Sequence, residues 1–174
     1  MKPESALLAN RPFVIPAWTD DVHYEVEVLI RINRLGKTIL PKFAHKYYSE
    51  IGLGIDFTAR DLQTQLKAKG HPWEKAKGFD GSAVISKFIP LSTFSGPDNI
   101  DFRLEVNGEI RQQGNTRDLI FSFDELIAHV SEYMTLKMKD VLFTGTPAGV
   151  GPVASGDVLE GYLGEQQMFR VKVK

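Results

Sequence analysis

The chain has 174 residues, 43% of them hydrophobic and 25% charged, with a formal net charge of −1. That is the composition of a folded globular chain, long enough to bury its own core, and not of a disordered one. The near-neutral charge leaves no footprint for nucleic acid, the lack of cysteine excludes disulfide scaffolds, cysteine zinc sites and thiol nucleophiles, and no apolar stretch approaches the roughly 20 residues that span a membrane. The opening Met1-Lys2-Pro3-Glu4-Ser5 carries no apolar leader, so a cytoplasmic location is the expectation.

Val22, Tyr24, Val26, Val28, Ile30 and Ile32 alternate with His23, Glu25, Glu27, Leu29 and Arg31, which predicts one strand over 22–32. On such a strand Glu25 and Glu27 share a face, opposite Val26 and Val28. Arg34-Leu35-Gly36-Lys37 ends it, and Pro41 opens a short helix reaching Tyr48. Residues 51–55, with Gly52 and Gly54, read as a buried strand with close backbone approach, and Asp56 stands at its end. Thr58 reads as the N-cap of a helix with Asp61 at its third position, running to about Lys69 before Gly70 and Pro72. Residues 78–95 are loop-rich with short apolar runs. Residues 102–106 and 109–112 flank Asn107-Gly108, a hairpin signal. Ser122 and Glu125 form the capping box of a helix ending near Leu136. A short strand over 141–143, a turn at Ser155-Gly156-Asp157 and a last strand over 168–173 follow. The sum is a β-rich α+β fold, one domain over 1–174 with no repeat or linker.

Two carboxylates on one strand face repel unless a cation joins them, and a hard divalent ion takes carboxylate oxygens. Asp56, ending the next strand, completes a candidate set of three with Glu25 and Glu27. A lone Glu-x-Glu is equally the pattern of a solvated strand face, and Asp56 also fits a helix-proximal cap. Arg60 and Gln63 follow Asp56 at i+4 and i+7, on one helical face. Arg60 offers a planar fork to a substrate carboxylate; the plainer reading is a salt bridge within the fold. Lys77 suits stabilisation of negative charge that develops beside a metal, or is an ordinary surface lysine. Thr146, in Thr144-Gly145-Thr146-Pro147, suits donation to a ligand carboxylate, or turn chemistry alone. The glycine-rich run 145–151 lacks the lysine and spacing of a phosphate loop. His23, His45, His71 and His129 form no two-histidine metal spacing. His129 is expected on a half-buried helix face, and His23 beside Glu25 reads as a metal-supporting group or a plain strand histidine.

Taken in order, His23-Tyr24-Glu25-Val26-Glu27, Gly54-Ile55-Asp56-Phe57-Thr58-Ala59-Arg60-Asp61-Leu62-Gln63, Pro72-Trp73, Ala76-Lys77-Gly78-Phe79-Asp80, Val106-Asn107-Gly108-Glu109, Gln113-Gly114-Asn115-Thr116 and 143–151 resemble the fumarylacetoacetate hydrolase family. The resemblance spans nearly the whole chain and is closest to the small single-domain members. It implies a β-rich mixed roll with a few short helices and homodimeric assembly. It implies that Glu25, Glu27 and Asp56 bind Mg2+ or Mn2+, that Lys77 lies beside the metal as a catalytic group, and that Arg60, Gln63, Lys77 and Thr146 contact a 2-oxo acid substrate. The expected reaction is hydrolysis of a C–C bond in an acylpyruvate-like 2,4-dioxo acid through a metal-stabilised enolate. The alternatives are isomerisation, tautomerisation or decarboxylation of a 2-oxo acid such as oxaloacetate, or a metal-binding remnant without activity. Small members of the family also carry, before a Lys-Pro pair, an Asn-Tyr-x-x-His segment whose histidine and a glutamate activate water. This chain opens at Lys2-Pro3, so the resemblance implies that this N-terminal segment is absent from the 174 residues and that Met1 matches an internal methionine.

Overall fold

The computed structural model describes residues 1–8 and 11–174. In chain order the first half holds strands β1 Val22–Tyr24, β2 Val26–Ile32, β3 Tyr48–Asp56, β4 Thr58–Ala59, β5 Ala83–Ile85 and β6 Ile89–Pro90. The second half holds β7 Asp101–Val106, β8 Glu109–Asn115, β9 Val141–Phe143, β10 Gly151–Pro152, β11 Val158–Leu163 and β12 Gln166–Lys172. Among the described residues four α-helices accompany them: α1 Pro41–Ala44, α2 Arg60–Ala68, α3 Glu74–Lys77 and α4 Phe123–Tyr133. This is the expected β-rich α+β roll.

The strands form three sheets, with orders β5-β3-β2-β9, β12-β11-β7-β8 and β10-β1-β4, while β6 pairs with β3 beyond β5. The ladders are antiparallel. The first sheet packs on the second, β3 against β11 and β12, and β2 against β7. Val28, Ile30, Leu53, Ile55, Leu104 and Leu159 are buried in the core between and around these sheets. Burying such side chains contributes roughly 1.5–3 kcal/mol each.

The expected strand over 22–32 is two strands. Val22 and His23 pair with Ala59 and Thr58, whereas Val26 and Glu27 pair with Ile55 and Gly54. The chain changes sheets at Glu25, a change that unbroken alternation cannot signal. Both faces of β2 are covered, so Glu27 is buried instead of lying on a solvated face. Thr58 is not a helix cap: it pairs with His23, and α2 starts two residues later with Ala59 at the N-cap position. Asp61 instead accepts from Thr19 Oγ1 at 2.7 Å and from the Asp20 amide at 3.1 Å. Helix α1 stops at Ala44 because Tyr48 already begins β3, where it pairs with Ile32.

The hairpin β7–β8 forms as expected, with Asn107 and Gly108 both at positive φ, 55° and 81°. The capping box is also present: Ser122 Oγ accepts from the Glu125 amide at 3.3 Å, and Glu125 returns a bond to the Ser122 amide at 2.8 Å. Helix α4 ends at Tyr133, short of Leu136, because Leu136 exchanges backbone bonds of 3.0 and 2.8 Å with Gly36. Sequence reasoning misses α3, a single turn, and β11, whose run is short of β-branched residues and interrupted by Gly161.

Gly54 does show the close approach expected of it. A Cβ there would run into the Val84 carbonyl and lie 2.8 Å from Leu29 Cδ1. Both neighbours belong to packed strands, so Gly54→Ala is expected to cost about 2 kcal/mol by overpacking, read as a lower urea midpoint at unchanged slope.

Candidate active site

Three strand ends meet at the carboxylates. Glu25 sits at the joint of β1 and β2, Glu27 lies inside β2, and Asp56 closes β3, with the Asp56 amide bonded to the Glu25 carbonyl at 2.8 Å. Each offers an oxygen, and the three oxygens lie within 4.8 Å of one another. Glu25 and Glu27 are buried.

Cations surround them. Lys77 Nζ, at the end of α3, reaches Glu25 Oε2 at 2.5 Å and Asp56 Oδ2 at 2.9 Å. Arg60, opening α2, places Nη2 at 2.5 Å from Glu25 Oε1 and donates from Nη1 to Gln63 Oε1 at 2.7 Å. Arg60 and Gln63 thus share one face, as their spacing predicts, and Gln63 is buried there. The third cation, Lys2, is one that sequence reasoning missed. Its Nζ lies 2.8 Å from Asp56 Oδ1 and bonds Ser82 Oγ at 3.0 Å and the Lys77 carbonyl. Nothing local marks Lys2, because its partners lie far along the chain.

The electrostatics follow from this packing. Burial opposes charge on Glu25, but Lys77 and Arg60 outweigh it and hold its pKa below the usual glutamate value. Burial also opposes charge on Lys77, but Asp56 and Glu25 outweigh it and hold its pKa above the usual lysine value. Lys2 is lowered, since burial wins over Asp56. Glu27 has no cation of its own. Burial first, then the negative charge of Asp56, push it up to about 7, against a bond from the Gly145 amide at 2.6 Å.

The residues present fit a hard divalent ion. The donor set is all carboxylate, the class that such ions take. The Asp56 Oδ1 contact with Lys2 is an ion pair whose geometry is not that of a hydrogen bond, so this buried oxygen has no directed donor. Glu27, raised toward neutrality, is a group that a cation would return to its charged form.

Thr146 lies in the loop after β9, whose Gly145 amide bonds Glu27. The Thr146 hydroxyl accepts from Gln112 Nε2 at 2.8 Å. Gln112, from β8, is the second participant that sequence reasoning missed. A cleft of about 970 Å³ opens beside the cluster, lined by Lys2, Asp56 and Lys77 and by apolar side chains that include Trp73, Ile85, Met134 and Phe143. Arg60, Gln63 and Thr146 do not line that cleft; Arg60 reaches the carboxylates through Glu25, and Thr146 follows Gly145, whose amide bonds Glu27. His23 bonds Asp21 at 2.9 Å, and among the described residues no hydrogen bond joins its side chain to the three carboxylates. His129 is exposed, not half-buried, with its ring 5.3 Å from that of Tyr133. Among the described residues no helix is long and apolar enough to cross a membrane.

Comparison with known proteins places the chain in a family. The sequence matches the family model described as Fumarylacetoacetate (FAA) hydrolase C-terminal over residues 1–174. It is 46% identical over 161 residues to oxaloacetate tautomerase YcgM of Escherichia coli strain K12, covering 91% of this chain and 74% of that protein. It is 37% identical over 175 aligned positions to the mitochondrial oxaloacetate tautomerase FAHD1 of Bos taurus, covering 100% of this chain and 79% of the relative. A solved structure, fumarylpyruvate hydrolase from Pseudomonas aeruginosa in complex with Mn2+ and pyruvate, superposes with a TM-score of 0.91 at 34% identity, covering 99% of this chain and 76% of that one. Sequence, fold and a three-carboxylate cluster at the sheet ends lead to one assignment: the chain belongs to the fumarylacetoacetate hydrolase family of enzymes.

Proposed function

We propose that this chain is a divalent-metal-dependent enzyme that interconverts the enol and keto forms of oxaloacetate, with decarboxylation of the same acid as a second reading. Glu25, Glu27 and Asp56 would hold the ion, Mg2+ or Mn2+. The observation that carries the proposal is the charge balance of the cluster once a bound ion holds Glu27 ionised: three carboxylates are then matched by three cations, Lys2, Arg60 and Lys77, which pair with Glu25 and Asp56. A divalent ion added to a balanced cluster leaves two positive charges. A dianion such as oxaloacetate matches them better than a monoanion does; a dianionic acylpyruvate would match equally, so the choice of oxaloacetate rests on the relatives. The two relatives named oxaloacetate tautomerase support the same choice, so the tautomerase alternative displaces the C–C hydrolase as the main reading.

When bound, the ion supplies Lewis-acid stabilisation of negative charge at a 2-oxo group. Tautomerisation moves one proton between the C2 oxygen and C3 and breaks no carbon–carbon bond; decarboxylation breaks the C3–C4 bond and releases CO2. Lys77 carries a proton at Nζ beside Glu25 and Asp56, where it stabilises charge at the C2 oxygen and can hand that oxygen a proton. Arg60, braced by Glu25 and Gln63, orients a substrate carboxylate from one flank, and Thr146 donates from the other.

Product analysis tests the reading. With Mn2+, the protein is expected to accelerate the loss of enol-oxaloacetate absorbance faster than it releases pyruvate from oxaloacetate or from an acylpyruvate. Faster release of pyruvate and a second acid from an acylpyruvate would restore hydrolysis. No metal-dependent change with any of these substrates would sink the reading.

A further inference from the structure

We propose that Gln112 is a positioning residue for this reaction: one buried side chain that sets both the carboxylate joint at Glu25 and the direction of the Thr146 hydroxyl. The inference rests on the reading that Glu25, Glu27 and Asp56 hold a divalent ion and that Thr146 faces the substrate.

Gln112 is 1% exposed, and its amide is used at both ends. Oε1 accepts from the Val26 amide at 2.9 Å. Nε2 donates to Thr146 Oγ1 at 2.8 Å and to the Pro147 carbonyl at 3.0 Å. The partners leave no freedom in orientation, since an amide N–H needs the oxygen and a carbonyl needs the NH2.

Val26 is the residue between Glu25 and Glu27. Strand β9 pairs with β2 only from Leu29 onward, so on that side Val26 has no strand neighbour to receive its N–H. Gln112 takes the place of that neighbour across 86 residues of sequence. A buried amide left without a partner costs free energy, so this bond holds the joint in the shape that aims Glu25 and Glu27 together.

The other end of the amide acts on polarity. A hydroxyl has one proton and two lone pairs. Because Nε2 occupies a lone pair of Thr146 Oγ1, and no other hydrogen bond is made by that hydroxyl among the described residues, its proton is free for an acceptor outside the protein. Gln112 thereby makes Thr146 a donor, the polarity that an anionic substrate requires, while the neighbouring Gly145 amide is committed to Glu27. Ion site and substrate loop are joined through one side chain.

The test uses three single variants and one double variant of the whole chain, with Mn2+ affinity read by electron paramagnetic resonance and KM read on enol-oxaloacetate. Gln112→Met keeps the bulk and removes all three bonds. It is expected to weaken Mn2+ binding about tenfold, the scale seen when groups supporting metal ligands are lost, and to raise KM. Thr146→Val is expected to raise KM with Mn2+ affinity unchanged, and Thr146→Ser, which keeps the hydroxyl, to retain the wild-type KM. Combining Gln112→Met with Thr146→Val is expected to raise KM no further than Gln112→Met alone, since both act through one hydroxyl. A folded Gln112→Met protein with wild-type Mn2+ affinity and KM would overturn the proposal, and so would a wild-type KM in Thr146→Val, which stands even if Gln112→Met does not fold. Wild type that neither binds Mn2+ nor turns over would overturn the underlying reading and this proposal with it.

Discussion

Asp56→Asn is expected to remove metal-dependent turnover, by on the order of 10³-fold or more, and to remove the rise in Tm that millimolar Mn2+ gives the wild type. The side chain keeps its size, so the effect isolates charge. Asp56 supplies one of three carboxylates to the cluster, and among the described residues its Oδ1 is buried without a directed donor. A neutral amide there weakens the grip on a hard cation and leaves the developing substrate charge without several kcal/mol of stabilisation, each 1.36 kcal/mol being about tenfold in rate. The same change leaves Lys2 and Lys77 short of a partner. Both are mostly but not wholly buried, so the stability loss is expected at about 2 kcal/mol, below that of a fully buried broken pair. Urea melts with EDTA separate the two effects. A folded Asp56→Asn protein that still binds Mn2+ like the wild type would refute the assignment of Asp56 as a ligand.

Lys77→Met is expected to separate binding from chemistry. The lysine contacts two of the proposed ligands, so its loss frees their oxygens, and Mn2+ affinity should hold or rise. Turnover should fall by about 10²–10³, the scale for removing a donor aimed at developing charge. The loss should fall on kcat, because the interaction strengthens only as charge develops. Lys77→Arg should not restore the rate, since a guanidinium fork does not place a single proton where the ammonium did. Stopped-flow decay of the enol, with metal saturation checked for each variant, measures this. Near-wild-type kcat in Lys77→Met would remove the lysine from the proposed chemistry.

The parts of this molecule that were legible in the sequence are those whose cause is local. Asn107-Gly108 carries its turn in two residues, and Ser122 with Glu125 carries its cap in four. The carboxylates and Lys77 were legible as a group through the family resemblance, and the structure brings them together, with Arg60 attached to Glu25 and Gln63 attached to Arg60. What sequence reasoning missed is non-local. Apolar alternation runs unbroken through Glu25 because both the small sheet and the large one need it, so the pattern cannot show where the chain leaves one for the other. Thr58 has every local mark of a cap, yet pairing with His23 claims it first. Lys2 and Gln112 act on partners 75 and 86 residues away, and no window along the chain holds both ends of such a contact.

The joint at Glu25 has a consequence for how the protein is assembled. A cluster built where two sheets exchange a chain, and braced from residues 2, 77, 112 and 146, exists in no fragment and in no half-formed domain. Closing contacts between residues so distant costs loop entropy before it returns any stability, and such contacts form late. Partly folded chains would therefore hold neither ion nor substrate, and catalytic competence would appear only once all three sheets have met.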